Sequence, residues 1–108
     1  MALLSTIVAS PLSLSDIAQR DLIQELIADR RSPNTRRTYT KALVDFFMQV
    51  ANSAPTPELV GEFLALDRYQ AMTLVLRYRR ILTDRGLAPS TINTRLAAIK
   101  SLVSYARK

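Results

Sequence analysis

The chain alternates between short apolar stretches with helical spacing and polar stretches that contain proline. Ile92, Leu96, Ile99 and Val103 follow one another at intervals of four, three and four residues, which places them on one face of an α-helix. No segment shows the strict alternation of apolar and polar residues that a half-buried strand requires. The pattern therefore predicts an all-α protein, a compact bundle of four to five helices.

Capping residues and prolines set the predicted boundaries of these helices. Ser15, Ser32 and Thr56 are good N-caps, and proline follows directly after the last two, at a helical position that needs no N–H. Gly86 is placed to end a helix in the left-handed conformation. The predicted helices span about residues 15–30, 33–50 and 57–66, then a further helix to about residue 85 and a last helix from residue 89 to the C-terminus. The segment 66–70 is compatible with either a kink or a break.

One apolar stripe on each helix forms the predicted core. Gly61 lowers the stability of its helix by about 1 kcal/mol, so we expect another helix to pack closely against it. The core positions are Ile17, Leu22, Ile23, Leu26 and Ile27, then Tyr39, Leu43, Phe46, Phe47 and Val50, then Leu59, Val60, Phe63 and Leu64, then Leu74, Val75, Tyr78, Ile81 and Leu82, and finally Ile92, Leu96, Ile99, Val103 and Ala106.

The N-terminal segment precedes the first capping residue. Its apolar run has no basic residue ahead of it, as a secretory signal would require, and is shorter than the roughly 20 apolar residues of a membrane span. We therefore expect residues 1–14 to be a flexible arm, residues 15–108 to form one helical domain, and no association with a membrane.

Composition narrows the chemistry. Hydrophobic residues make up 48% of the chain, enough for a packed core, and there is neither cysteine nor histidine. The absence of cysteine excludes disulfides and thiolate metal sites and suits a cytoplasmic protein. Without histidine the chain also lacks the commonest metal ligand and acid–base catalyst. We expect no cofactor, no metal and no catalysis within these residues.

Positive charge is concentrated in two blocks. The net charge is +6, yet residues 30–41 carry five basic side chains and no acid, and residues 77–108 carry eight basic side chains and one acid. Clustering of this kind is typical of a polyanion-binding surface. A solvated basic face explains the charge equally well, as it does for the RYRR stretch at residues 77–80.

Both blocks contain a helix start with the same composition, SPNTRRTYTKAL at residues 32–43 and APSTINTRLAAI at residues 88–99. At about 100° per residue, most polar residues of both helices lie away from the apolar seam. Such side chains contact phosphates and base edges, and helix N-termini attract phosphate. Ser and Thr near helix starts are otherwise ordinary caps, but the matched pair favours nucleic acid. Tyr39 and Tyr78 lie on the apolar seams, so we interpret them as packing residues rather than nucleophiles.

The stretches SPNTRRTY, TPELVGEFL and RGLAPSTINTRLAAIKSLVSYA resemble the N-terminal core-binding domain of tyrosine recombinases, the phage-integrase and Xer-type family, over about residues 32–108. The resemblance implies a SAM-like helical bundle that forms half of a C-shaped clamp around double-stranded DNA. It also implies that helices 33–50 and 89–106 lie against the major groove. Combined with the helix faces, it gives as candidate DNA contacts Asn34, Thr35, Arg37, Thr38, Lys41, Ser90, Thr91, Asn93, Thr94 and Lys100.

In this family, an Arg, Lys, His and Tyr constellation in a second, C-terminal domain cuts DNA. The present chain ends at Tyr105-Ala-Arg-Lys, so we expect a fragment that lacks the catalytic domain. The resemblance implies a parent that assembles as a tetramer on DNA, with this fragment a monomer. Two alternatives stay open, a helical protein-interaction module and a helix-turn-helix transcription regulator. The regulator requires a short turn between its two helices, whereas the two candidate helices are far apart in sequence.

Overall fold

The computed structural model describes residues 21–107, and this part of the chain contains five α-helices and no strand. The prediction of an all-α bundle is confirmed. The predicted arm, the Ser15 cap and Ile17 lie outside the described residues. The helices are α1 (Leu22–Ala28), α2 (Pro33–Ala51), α3 (Pro57–Ala65), α4 (Arg68–Asp84) and α5 (Pro89–Ala106).

Side-chain caps fix four of the five described helix starts, among them those of α2 and α3. Ser32 Oγ accepts a hydrogen bond from the N–H of Thr35 at 3.4 Å, and Thr56 Oγ1 accepts one from the N–H of Leu59 at 3.1 Å. These bonds satisfy backbone donors that have no partner within the helix. Helix α5 starts after Ala88, which provides no side-chain cap. Its first residue, Pro89, has no N–H group and therefore leaves one fewer backbone donor without a partner.

Helix α1 begins later and ends earlier than the predicted helix over residues 15–30. Asp21 adopts a non-helical conformation and caps α1, because its Oδ1 accepts from the N–H of Gln24 at 3.1 Å. The helix ends at Ala28, two residues before the predicted Arg30. Its predicted stripe is confirmed where it is described, since Ile23 and Leu26 are buried and Leu22 and Ile27 pack against the core.

The region 66–70 is a break rather than a kink. Leu66 is extended, and Asp67 starts α4 with a reciprocal capping box. Asp67 Oδ1 accepts from the N–H of Gln70 at 2.8 Å, while Gln70 Oε1 accepts from the N–H of Asp67 at 3.2 Å. Two residues therefore separate α3 from α4, and the second of them initiates the new helix.

Helix α2 lies at the centre of the bundle and packs against α1, α4 and α5, while α5 also packs against α1 and α4. Phe46 on α2 makes edge-to-face contacts with Phe47, Phe63 and Tyr78 at centroid distances of 5.1, 5.2 and 5.3 Å. Aromatic pairs in this arrangement contribute about 0.5–1.5 kcal/mol beyond the area they bury. The cluster joins α2, α3 and α4 and leaves the first turns of α2 and α5 at the surface.

The buried face of α5 is rotated from the predicted seam. Ile92 and Ile99 are buried as predicted, and Leu96 and Val103 pack partly buried against the core. Ala106 is exposed, which the seam did not predict. Ala98 and Leu102 are buried in its place, about 80–120° round the helix from Ile92. The buried arc is wide because α5 packs against three helices.

The two glycines differ in role. Gly86 adopts φ +78° after α4, which confirms its assignment as a left-handed helix end. The prediction that another helix packs closely against Gly61 is wrong, because no atom of another helix in the described chain lies within 4 Å of the position a Cβ would take. The structure gives no packing reason for a glycine at this position of α3.

Candidate nucleic-acid interface

A cleft lies between the N-terminal halves of α2 and α5. Its volume is about 290 Å³. Helix α2 contributes the second and third turns after Ser32, and α5 contributes its first two turns. The cleft, called here the α2–α5 groove, is lined by Thr38, Lys41, Ser90, Thr91, Thr94 and Arg95.

Five of the ten predicted contact residues line this groove, and the other five do not. Asn34 and Arg37 are exposed on the first turn of α2, where the Asn34 side-chain oxygen accepts a hydrogen bond from Arg37 Nη2. Thr35 is half-buried behind the Ser32 cap, while Asn93 and Lys100 are exposed on α5. Their role in DNA binding stays a prediction.

The hydroxyl of Thr94 already has a partner in the groove wall. Its Oγ1 donates to the carbonyl oxygen of Ser90 at 2.9 Å, one turn earlier in α5. With its proton committed, the oxygen can only accept further hydrogen bonds. Thr94 in this conformation therefore presents a hydrogen-bond acceptor, and no donor, to the groove.

The sequence analysis missed a partly buried ionic network that reaches the groove through Arg95. Asp45 Oδ2 accepts hydrogen bonds from Arg85 Nη1 at 2.9 Å, Arg95 Nη1 at 3.1 Å and the Tyr78 hydroxyl at 2.6 Å. Arg85 Nη2 donates to the other carboxylate oxygen of Asp45 at 3.2 Å. The side chains of Asp45 and Arg95 are only 19% and 17% exposed. Two cations of the second basic block therefore share one carboxylate of α2.

The network shifts the pKa values of Asp45 and Tyr78. Burial on its own raises the pKa of Asp45, but the hydrogen bonds from Arg85 and Tyr78 and the charges of Arg85 and Arg95 outweigh it. The pKa of Asp45 is therefore held below its ordinary value of 3.8. Burial and the hydrogen bond to Asp45 raise the pKa of Tyr78 from 10.0 to about 12. At neutral pH the site is thus a carboxylate, a neutral phenol and two guanidinium ions.

Part of the first basic block has a structural role. Arg30 stacks over the ring of Tyr39 at 5.7 Å from its centroid and pairs with Asp29 at 3.3 Å. Arg36 Nε donates to the carbonyl oxygen of Arg30 at 2.7 Å, close to the end of α1. Both arginines thereby fix the turn between α1 and α2. Lys41 is exposed in the groove itself.

The two tyrosines predicted to pack do so. Tyr78 is fully buried, and Tyr39 packs half-buried against the core with its hydroxyl 3.3 Å from Ser101 Oγ. The contact between Tyr39 and Ser101 links α2 to α5 below the groove. Outside the groove, Arg79 and Arg80 are exposed on α4, and Arg80 pairs with Asp84 at 3.3 Å.

None of the described helices is both long enough and apolar enough to cross a membrane. The described residues also contain no group of three or more acidic side chains arranged to hold a metal ion.

Comparison with known proteins identifies relatives for most of the chain. A tyrosine recombinase of Synechocystis sp. is 56% identical over 99 residues, which is 92% of this chain and 31% of the relative. A tyrosine recombinase of Synechococcus elongatus is 43% identical over 96 residues, which is 89% of this chain and 30% of the relative. The chain thus spans about a third of the length of these relatives. No family model matches it, and neither does any solved structure.

Proposed function

Because the chain belongs to the tyrosine recombinase family over the segment that it shares with these two relatives, we propose that it is the part of such an enzyme that holds duplex DNA. The observation that carries the proposal is the α2–α5 groove. It brings together hydroxyl and cationic side chains from two helix starts that lie about 50 residues apart in sequence. Most of these groups lack a core-packing role.

The chemistry of the groove matches a duplex backbone. Lys41 and Arg95 supply positive charge, while Ser90 and Thr91 stand in the first turn of α5, where backbone N–H groups point outward. Phosphate oxygens are bound by such hydroxyls, cations and helix starts, and the resulting contacts orient a protein on DNA. Neutral groups beside them, such as Asn93, are suited to base edges. We propose that α2 and α5 present this face to the major groove.

Strand cleavage is proposed to depend on residues other than those described. Tyr78 is fully buried and Tyr39 half-buried, so neither phenol is open to a scissile phosphate, and the exposed Tyr69 on α4 does not line the α2–α5 groove. The chain also contains no histidine to serve as an acid or base. In this proposal the segment positions the recombinase on a half-site, while the parent protein assembles as a tetramer on DNA and this segment alone is monomeric.

Titration of a fluorescent duplex at several salt concentrations tests the proposal. A surface of this size offers about 5–8 phosphate contacts, so the logarithm of the affinity should fall with the logarithm of salt with a slope of about −5 to −7. Arg37→Ala and Lys41→Ala should each weaken binding and reduce the magnitude of the slope by about 0.9.

Arg79→Ala is the charge-matched control, because Arg79 is exposed on α4 and belongs to neither of the two helices, α2 and α5, that are proposed to face DNA. It should cost less affinity than Arg37→Ala. Equal losses would show diffuse electrostatic attraction and contradict the proposed face. Binding that does not depend on salt would contradict DNA recognition altogether.

A further inference from the structure

We propose that Arg95 binds a backbone phosphate at the inner end of the α2–α5 groove, and that Asp45 is the positioning residue that holds it there. The inference deepens the proposed function and rests on it. Neither side chain was among the contacts predicted from the sequence, because Arg95 lies within the buried arc of α5, between Ile92 and Leu102.

Within residues 21–107, the hydrogen bonds of the Arg95 guanidinium all come from one of its nitrogens, Nη1. Its Nη1 donates to Asp45 Oδ2 at 3.1 Å and lies 3.4 Å from the Tyr78 hydroxyl. Its Nε and Nη2 make no hydrogen bond with any residue in the range 21–107, and the side chain lines the groove. The Nε–Nη2 edge of the guanidinium can therefore donate two parallel hydrogen bonds to a ligand with two acceptor oxygens, such as a phosphodiester.

Arg85 provides an internal comparison. Both of its terminal nitrogens donate to the two oxygens of Asp45, at 2.9 and 3.2 Å, and it does not line the groove. Its fork is thus occupied by the carboxylate. Asp45 thus binds both terminal nitrogens of Arg85 but only Nη1 of Arg95.

Fixing Arg95 in this way favours phosphate binding. A free arginine loses about 1.5–2 kcal/mol of rotamer entropy when it is immobilised, a loss that Asp45 and Tyr78 have already imposed in the folded protein. The partly buried setting also strengthens its attraction to an anion, since water screens it less. Lys41 in the same groove adds a second cation for the same segment of backbone.

If the Asp45–Arg95 pair were purely structural, Asp45→Asn would change the DNA affinity in the direction opposite to the one we expect. Asp45→Asn removes a negative charge from the DNA-facing side, so long-range electrostatics alone strengthens binding. If Asp45 positions Arg95, the same substitution weakens binding despite the gain in net charge. The direction of the change distinguishes the two roles.

The experiment is a double-mutant cycle on duplex binding, measured well below the unfolding transition of each folded variant. Arg95→Gln should weaken binding about tenfold and lower the magnitude of the salt slope by about 0.9. Asp45→Asn should also weaken it, and Asp45→Asn combined with Arg95→Gln should be no weaker than Arg95→Gln alone. Arg85→Gln is the matched control and should bind within about twofold of the wild type, whatever it does to stability.

Three results overturn the inference. The first is tighter DNA binding by Asp45→Asn, and the second is a loss of affinity from Asp45→Asn that is equally large in the wild type and in the Arg95→Gln variant. The third is a loss of affinity from Arg85→Gln as large as that from Arg95→Gln. Should Asp45→Asn fail to fold, Tyr78→Phe removes the other contact of Arg95 Nη1 and should weaken binding in the same direction. Wild-type binding that Arg37→Ala weakens and Arg95→Gln does not would contradict this inference alone. A wild-type chain that does not bind duplex DNA would contradict the proposed function.

Discussion

Asp45 is the residue with the most consequences for its neighbours. Three side chains donate to it, two of them cationic, so a group that loses water on burial regains hydrogen bonds and opposite charge. Removing one cation still leaves the other, whereas removing the carboxylate leaves two guanidinium groups side by side. We infer that Asp45 is needed to keep Arg85 and Arg95 close together.

The network makes stability depend on pH at both ends of the scale. The folded-state pKa of Asp45 lies below 3.8, so its contribution to the free energy of unfolding is complete above that pH and is lost as the pH falls through the lowered value. The folded-state pKa of Tyr78 is about 12, so its contribution is complete below pH 10 and is lost between pH 10 and about 12.

Chemical denaturation across this range measures the effect. Asp45→Asn should remove most of the acid dependence that this site adds, and Tyr78→Phe should flatten the alkaline part. An alkaline profile unchanged by Tyr78→Phe would contradict a raised pKa for this phenol.

At the level of helices, local signals predicted three boundaries correctly but missed the Asp21 cap, and periodicity did not predict which face of a helix would be buried. Ser32, Thr56 and Gly86 were identified as helix boundaries because caps and left-handed ends depend on nearby backbone geometry. The buried face of α5 depends on which three helices surround it, which periodicity does not reveal. Arg95 was missed for the same reason, since a partly buried cation is understood only together with its partner on α2.

Gly61 and Gly86 allow a matched test of helix energetics. Gly61→Ala should raise the free energy of unfolding by about 0.5–1 kcal/mol, because the position is helical and has room for a methyl group. Gly86→Ala should lower it by about 1 kcal/mol or more, because φ of +78° is unfavourable for a residue with a Cβ. Thermal unfolding of both variants measures the difference. A destabilised Gly61→Ala would show a steric role for this glycine that the structure lacks.

Across the whole molecule, the candidate DNA face is assembled from segments that the chain order keeps apart. Helix α2 and helix α5 meet along their length, so the two look-alike starts, about 50 residues apart, come to line one groove. The sequence predicted that both starts were polar and basic, and it could not predict which of their side chains would converge. The count of basic residues also overstated the number of cations without a partner in the protein. Arg85 and Arg95 both pair with Asp45, and Arg30 lies over the ring of Tyr39.

Helix α3 joins the rest of the molecule differently from the others. The closely packed helix pairs all involve α1, α2, α4 and α5, whereas α3 is held mainly by Val60 and Phe63 and carries a glycine at its centre. Segments with few buried contacts open first in local unfolding. In native-state hydrogen exchange, the amides of α3 should therefore lose protection at lower free energy than those of α2 and α5. The two helices proposed to face DNA would then belong to the slowest-exchanging unit, so α3 could unfold transiently while the groove keeps its shape.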